Sequence, residues 1–210
     1  FYDILRLDHF RGFESCWSVS AKESTARNGC WKKSPGLELF RAIHSKFPNA
    51  QIIAENLGVI TDAVQSLHSA TGFPGMAVLQ FAFDKDSTNR YLPHNHIINS
   101  VVYTGTHDND TTVGWFSSLD ESTKNYVCNY LKVTGEAIAS DLVRCALSSV
   151  ARLAIVPVQD ILSLGTQARI NTPGAASGNW QWRITNTQLE ELQSESAQYL
   201  QELNKCNRRI

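Results

Sequence analysis

The chain has 210 residues with 19 basic and 20 acidic side chains, a formal net charge of −1, and so carries no electrostatic footprint for a polyanion or an anionic membrane surface. A 42% hydrophobic share and 6 prolines are ordinary for a globular domain with a sizeable core, and no stretch approaches the roughly 18 continuous apolar residues of a membrane span. Nucleic acid and membrane are therefore excluded as expected partners, and the protein is expected to be soluble.

Cys16, Cys30, Cys128, Cys145 and Cys206 form no C-x-x-C pair, and an odd total does not suit a disulfide framework. A reducing compartment is expected, with the thiols as small buried apolar groups. The chain begins at Phe1, directly in a predicted strand and without a methionine, which reads as a fragment or cut domain.

In chain order, Phe1, Tyr2, Ile4 and Leu5 predict a buried strand that runs into Arg6-Leu7-Asp8-His9-Phe10-Arg11-Gly12. A long polar loop follows, to Asn28-Gly29. Leu37, Phe40, Ile43 and Phe47 have helical spacing between Pro35 and Pro48. Gln51–Ala54 predicts a second strand, ending in Glu55-Asn56-Leu57-Gly58. Thr61 is placed to cap a helix that stops at Gly72. Met76–Phe83 predicts a third strand, with Phe81 and Phe83 in the core, and Ser100–Tyr103 a fourth, which leads to Thr104-Gly105-Thr106-His107-Asp108-Asn109-Asp110. Ser118 with Glu121 predicts a capping box, and Ile138, Leu142, Cys145, Ala146 and Val150 one face of a further helix. Ala154–Val158 predicts the last strand, a glycine-rich loop spans 165–182, and Thr187 with Glu190 opens a final helix whose dipole Lys205, Arg208 and Arg209 complement.

About five strands alternating with helices imply a parallel sheet with helical crossovers. A doubly wound open sheet is the alternative to a barrel, though the chain has no dinucleotide-type glycine fingerprint.

Three of the strands end in an acid followed by a turn, and in a parallel barrel catalytic groups gather at the C-terminal strand ends. One such acid caps a helix or sits in a solvated turn as readily as it catalyses; three in register are harder to dismiss. Side chains two apart on a strand share a face, so Arg6 is expected beside Asp8, keeping it ionised. Glu55, at the end of a strongly apolar strand, is expected to be desolvated and to hold a proton. A pair of carboxyls of this kind, one to attack an anomeric carbon and one to protonate the leaving oxygen, is what a retaining glycosidic mechanism needs. Asp108 then stabilises an oxocarbenium-like transition state, with His107 reaching a hydroxyl.

Arg6–Gly12, Ala54–Gly58, Gly105–Thr111 and Ser177-Gly178-Asn179-Trp180 together resemble the 4-alpha-glucanotransferase family, glycoside hydrolase family 77, and the resemblance runs from Phe1 to about Arg209. It implies an α/β fold, a (β/α)8 TIM barrel of the α-amylase type, of which 1–210 is about the second half, strands 4 to 8, plus a C-terminal helix, with the upstream part missing. It implies Asp8 as nucleophile, Glu55 as general acid and base, Asp108 as transition-state stabiliser, and Arg6, His107 and Asn179 as sugar contacts. The implied reaction transfers an α-1,4-glucan segment to the 4-hydroxyl of glucose or another glucan, with no cofactor, in a plastid stroma or a bacterial cytoplasm. Asn56, Cys30 and Cys16 depart from the common family pattern, which more often has aspartate, arginine and tyrosine there. The other readings are an α-1,4-glucan hydrolase and an inactive carbohydrate-binding fragment. His94 and His96 are expected to be solvated rather than to hold a metal. Trp17, Trp31, Trp115, Trp180 and Trp182 are candidates for stacking on sugar rings, although a tryptophan is more often a packing residue.

Overall fold

The β-branched and apolar runs Gln51–Ala54 and Ser100–Tyr103 form strands with the predicted limits, all but Gln51 being buried. The computed structural model describes residues 2–209, so Phe1, counted in the predicted first strand, lies outside the described residues. The chain divides into two compact units, Phe1–Met76 and Ala77–Ile210.

In the first unit β1 (Ile4–Leu7) pairs in parallel with β4 (Gln51–Ala54), in the register Arg6 to Ile53 and Leu7 to Ala54. Since β1 and β4 make a two-stranded sheet, the first strand is not the buried one expected from its composition: Tyr2, Ile4 and Leu5 are exposed. The loop after Asp8 is also more structured than its polarity predicts. It opens with a 3-10 turn at Phe10–Phe13 and then folds as an antiparallel hairpin of β2 (Ser15–Val19) and β3 (Gly29–Lys33). Helix α1 (Gly36–Lys46) starts after Pro35, and α2 (Asp62–Thr71) is capped by the Thr61 side chain and ends at left-handed Gly72, as predicted. Phe10, Phe40, Ala54, Val64 and Leu67 form this unit's core, with the Phe10 and Phe40 rings stacked 5.5 Å apart.

Strand β5 (Gly75–Val78) is half the predicted length, because the apolar run turns into a 3-10 helix at Leu79–Phe81. Phe83 is core, as expected; Phe81 is 43% exposed. The sheet of the second unit has the order β5-β6-β7, with β6 (Ser100–Tyr103) and β7 (Leu153–Ile155) parallel. Pro157 stops β7 short of Val158, which begins the short helix α6 (Val158–Ile161). Helices α4 (Glu121–Leu131) and α5 (Ile138–Ser148) pack Val127, Ile138, Leu142 and Ala146 onto Ala77, Leu79 and Val102, and α3 (Thr112–Ser118) adds Trp115 and Phe116. The cap of α4 is Asp120 rather than Ser118, which still belongs to α3. The second capping box is Thr185 with Gln188, opening α7 (Asn186–Glu191) two residues earlier than predicted. A π-helical turn then leads into α8 (Ala197–Cys206).

Arg209, expected to complement the dipole of its own helix, serves another one. Its guanidinium donates to the carbonyls of Leu147 at 2.5 Å, Ser149 at 2.8 Å and Ala151 at 3.1 Å, closing the C-terminal end of α5. The thiols differ from expectation as well: Cys16, Cys30 and Cys206 are exposed, and burial applies to Cys145, whose thiol it pushes up to about 11.

A buried acid ties the second unit together. Asp160 is 1% exposed and accepts from the Thr104 hydroxyl at 2.5 Å, the Thr112 amide at 2.7 Å and the Thr112 hydroxyl at 2.9 Å. These bonds join the end of β6, the start of α3 and α6. Burial pushes the Asp160 carboxyl above the usual carboxylate range despite the three donors. Replacing Asp160 by Ala strands those donors and is expected to cost about 2–4 kcal/mol in denaturant unfolding. A raised acid binds its proton more tightly in the folded state. Wild type should therefore gain stability over Asp160→Asn as pH falls from neutrality through the raised carboxyl value, approaching the unfolded value of about 3.9. A pH-independent difference between the two would contradict this.

Candidate active site

The register of β1 against β4 delivers two carboxylates side by side. Asp8 follows Leu7 and Glu55 follows Ala54, and Leu7 and Ala54 are register partners. The expected same-face neighbour of Asp8 is in place, with Arg6 Nη2 2.9 Å from Asp8 Oδ1. Asp8 is 70% exposed at its side chain, so this pair contributes only about 0–1 kcal/mol to stability and acts mainly to orient the carboxylate. Arg6 also reaches the Met76 sulfur at 3.9 Å.

Glu55 is held by main chain. Its Oε2 accepts from the His9 amide at 2.6 Å and its Oε1 from the Leu57 amide at 2.8 Å. The desolvated setting expected for it is not what the structure gives: Ile52, Ile53 and Ala54 are buried, but the chain turns at Glu55 into these N–H groups and leaves it half-buried. His9 adopts a left-handed conformation, φ 47°, to aim its amide there, a strain of about 1–2 kcal/mol for a residue with a Cβ. The Phe10 amide bonds the Glu55 carbonyl at 2.9 Å and the Glu55 amide the Leu7 carbonyl at 2.9 Å, so the two strand ends are laced to each other. Asn56 is 2% exposed and accepts the Met76 amide at 2.9 Å. An amide tolerates such burial where a carboxylate would carry an unpaired charge.

The third acid belongs to the second unit and lies five residues beyond the end of β6. Asp108 Oδ1 accepts from the Asn171 amide at 2.5 Å and lies 3.5 Å from His107 Nε2. Arg169 donates to the Asp108 carbonyl at 2.7 Å and to the Asn171 carbonyl at 2.9 Å, so one guanidinium fixes both partners. The turn that carries Asp108 is closed by Asn109, whose Oδ1 accepts the Thr106 amide and hydroxyl at 2.9 and 2.8 Å. Asp110 holds the next step, accepting the Thr166 hydroxyl at 2.9 Å across Gly114, where a Cβ would come within 2.3 Å of that oxygen. The His107 ring lies 5.2 Å from that of Trp180, which is 55% exposed at φ 63°.

Asn179 stands next to Trp180, but its amide is spent on its own loop. It accepts the Thr172 amide at 2.9 Å and donates to the carbonyls of Ala175 at 3.0 Å and Thr172 at 3.4 Å. His94 is engaged by the Tyr130 hydroxyl and the Ser87 carbonyl, and His96 Nε2 by the Tyr91 carbonyl. Burial holds the His96 imidazole below its usual value.

A family model described as 4-alpha-glucanotransferase matches residues 1–189. The chain belongs to the 4-alpha-glucanotransferase family. It is 52% identical over 206 residues to a 4-alpha-glucanotransferase of Synechocystis sp., covering 97% of this chain and 41% of that protein. Against the chloroplastic/amyloplastic 4-alpha-glucanotransferase of Arabidopsis thaliana it is 50% identical over 197 residues, 93% of this chain and 34% of that one. Among solved structures, amylomaltase from Streptococcus agalactiae in complex with acarbose superposes with a TM-score of 0.92 at 37% identity, covering 99% of this chain and 42% of that one. The chain thus spans about two fifths or less of the length of these relatives, and its fold is that of the corresponding part of an amylomaltase.

Sequence reasoning found the acids but missed what holds them. Arg169 and Asn171 lie in the predicted glycine-rich loop 165–182, where their polarity among glycines is the cue the sequence offers. The main-chain grip on Glu55 depends on a left-handed His9 that no residue type announces. For this 4-alpha-glucanotransferase family member, Glu55→Gln replaces one acceptor oxygen by an NH2 group and releases either the His9 or the Leu57 amide. Hydrogen exchange should speed up at one of those amides, with a stability loss of about 1 kcal/mol; wild-type protection at both would show that the carboxylate does not hold them.

Proposed function

We propose that the chain forms the catalytic C-terminal part of a 4-alpha-glucanotransferase, strands 4 to 8 of a (β/α)8 barrel, acting on α-1,4-glucans and maltooligosaccharides. The observation that carries this is the placement of Asp8 and Glu55 at register-matched ends of parallel neighbours. Adjacent strands lie about 4.8 Å apart, which sets the scale for the roughly 5–5.5 Å carboxyl separation of a retaining mechanism.

Asp8 attacks the anomeric carbon while Glu55 gives a proton to the departing 4-oxygen, leaving the glycosyl unit esterified to Asp8. An acceptor 4-hydroxyl then attacks the same carbon, Glu55 takes its proton and the ester bond to Asp8 breaks. Two inversions restore the α-configuration. Arg6 aligns Asp8. Giving or taking that proton turns one Glu55 oxygen from acceptor to donor and back, so the His9 and Leu57 amides act as a cradle that loosens and re-forms with each half-reaction. Asp108 stabilises the oxocarbenium-like transition state through sugar hydroxyls, held by Asn171 and Arg169. His107 contacts a hydroxyl, and Asn179 serves the sugar through the loop it closes, which presents Trp180.

No step draws on a cofactor, and the near-neutral charge suits an uncharged polymer better than nucleic acid. Among the described residues no helix is long and apolar enough to cross a membrane. A plastid stroma or a bacterial cytoplasm is the proposed working compartment, since the plant relatives are named chloroplastic/amyloplastic and the others come from bacteria.

Incubation with maltotriose is expected to yield glucose together with chains longer than the substrate, and Asp8→Asn neither. Glucose and maltose without longer products would make the protein a hydrolase. A folded but inert chain would mean that the upstream half of the barrel is required for activity.

A further inference from the structure

The hairpin that follows Asp8 carries an aromatic pair that the carboxylates and the core leave unexplained. Antiparallel pairing sets Trp17 directly opposite Trp31, so both indoles stand on one face of the hairpin. Their rings are 5.4 Å apart at 66°, and the residues are 42% and 53% exposed. The pair is braced. Trp17 Nε1 donates to the Ala26 carbonyl at 2.7 Å, and its indole lies so close over Gly29 that a Cβ there would come within 2.6 Å of Nε1. The Arg11 guanidinium lies 4.5 Å from the centre of a Trp31 ring and donates to the Val59 carbonyl at 2.5 Å. Arg11 is three residues past Asp8 and Val59 four past Glu55, so the hairpin face is tied to the two strand ends that deliver the carboxylates, all within the first unit.

We propose that Trp17 and Trp31 form an outer glucan-binding platform that takes glucosyl units beyond those engaged at Asp8 and Glu55. Two braced indoles side by side on one exposed face form a contiguous apolar patch, which is the kind of surface that binding sites use. Flat indoles match the C–H face of a pyranose, and two planes inclined to each other suit an α-1,4-linked chain, whose successive rings turn. The ligand this face fits is neutral: Lys33 of β3 is already paired with Glu14, and Arg11 is committed to Trp31 and Val59. Trp31 Nε1 has no hydrogen-bond partner among the described residues and is available to a sugar hydroxyl. The proposal deepens the glucan reading of the Asp8 site and rests on it, so binding and transfer are measured separately.

Calorimetric titration of the 210-residue chain carrying Asp8→Asn, which leaves the ligand uncleaved, compares maltoheptaose with maltotriose. Trp31→Ala is expected to weaken maltoheptaose about fivefold or more and maltotriose by less than about twofold. Trp31→Phe should retain more affinity than Trp31→Leu. That second comparison decides the matter if the alanine variant melts early. Equal maltoheptaose affinity across the variants, equal losses for both ligands, or no binding by any variant would overturn the platform. Binding of maltoheptaose through Trp31 with no transfer by the chain that keeps Asp8 would overturn the transferase reading alone; transfer by that chain with binding independent of Trp31 would overturn the platform alone.

Discussion

Parallel pairing of β1 with β4, one residue short of each acid, is the constraint on which the arrangement of Asp8 and Glu55 depends. A slip of one residue in either strand would send Asp8 or Glu55 to the opposite face. The pairing is reinforced past the strand ends, where the Phe10 and Glu55 amides bond across to the Glu55 and Leu7 carbonyls and the Glu55 carboxylate accepts two further amides. Strand register, the left-handed His9 and the Glu55 side chain are therefore one cooperative unit, with the buried Phe10 directly behind it anchoring the turn to Phe40.

The second unit places its acid by a different device. Asp108 sits on a turn, not on a strand, and turns need external fixation. Asn109 closes the turn on Thr106, Asp110 ties it to the Thr166 hydroxyl, Arg169 and Asn171 clamp it from the loop beyond α6, and Asp160 bonds the end of β6 to the start of α3. Burial holds the Asp160 carboxyl above its usual range, while the three donors it accepts fix the start of α3 to the end of β6.

What could be read from the sequence follows a physical divide. Gln51–Ala54 and Ser100–Tyr103 were legible to the residue because β-branched runs bounded by turns have few alternatives. Thr61 and Gly72 were legible because capping chemistry is local. The hairpin at Ser15–Lys33 was not, since its two strands mix Cys, Ser, Trp and Lys with no apolar alternation, and only the cross-strand indole pair gives it a hydrophobic face. Leu79–Phe81 looked like strand because hydrophobicity alone does not separate a buried strand from a buried turn. The acids were legible from strand-end placement, the roles expected of them followed from carboxylate chemistry, and the family resemblance implied the same roles. Their partners Arg169, Asn171 and the His9 amide are tertiary contacts with sequence separations of 46 to 63 residues, beyond the reach of any local pattern.

Whether Asp8 becomes covalently glycosylated is the most direct test. Maltosyl fluoride needs no protonation of its leaving group, so in Glu55→Gln protein the first half-reaction should proceed while the second, lacking its base, stalls. Mass spectrometry of the quenched protein should then find one added maltosyl unit, on the peptide that contains Asp8. A folded protein with no adduct, or an adduct on a peptide holding Asp108 or another carboxylate, would contradict the assignment of Asp8 as the nucleophile.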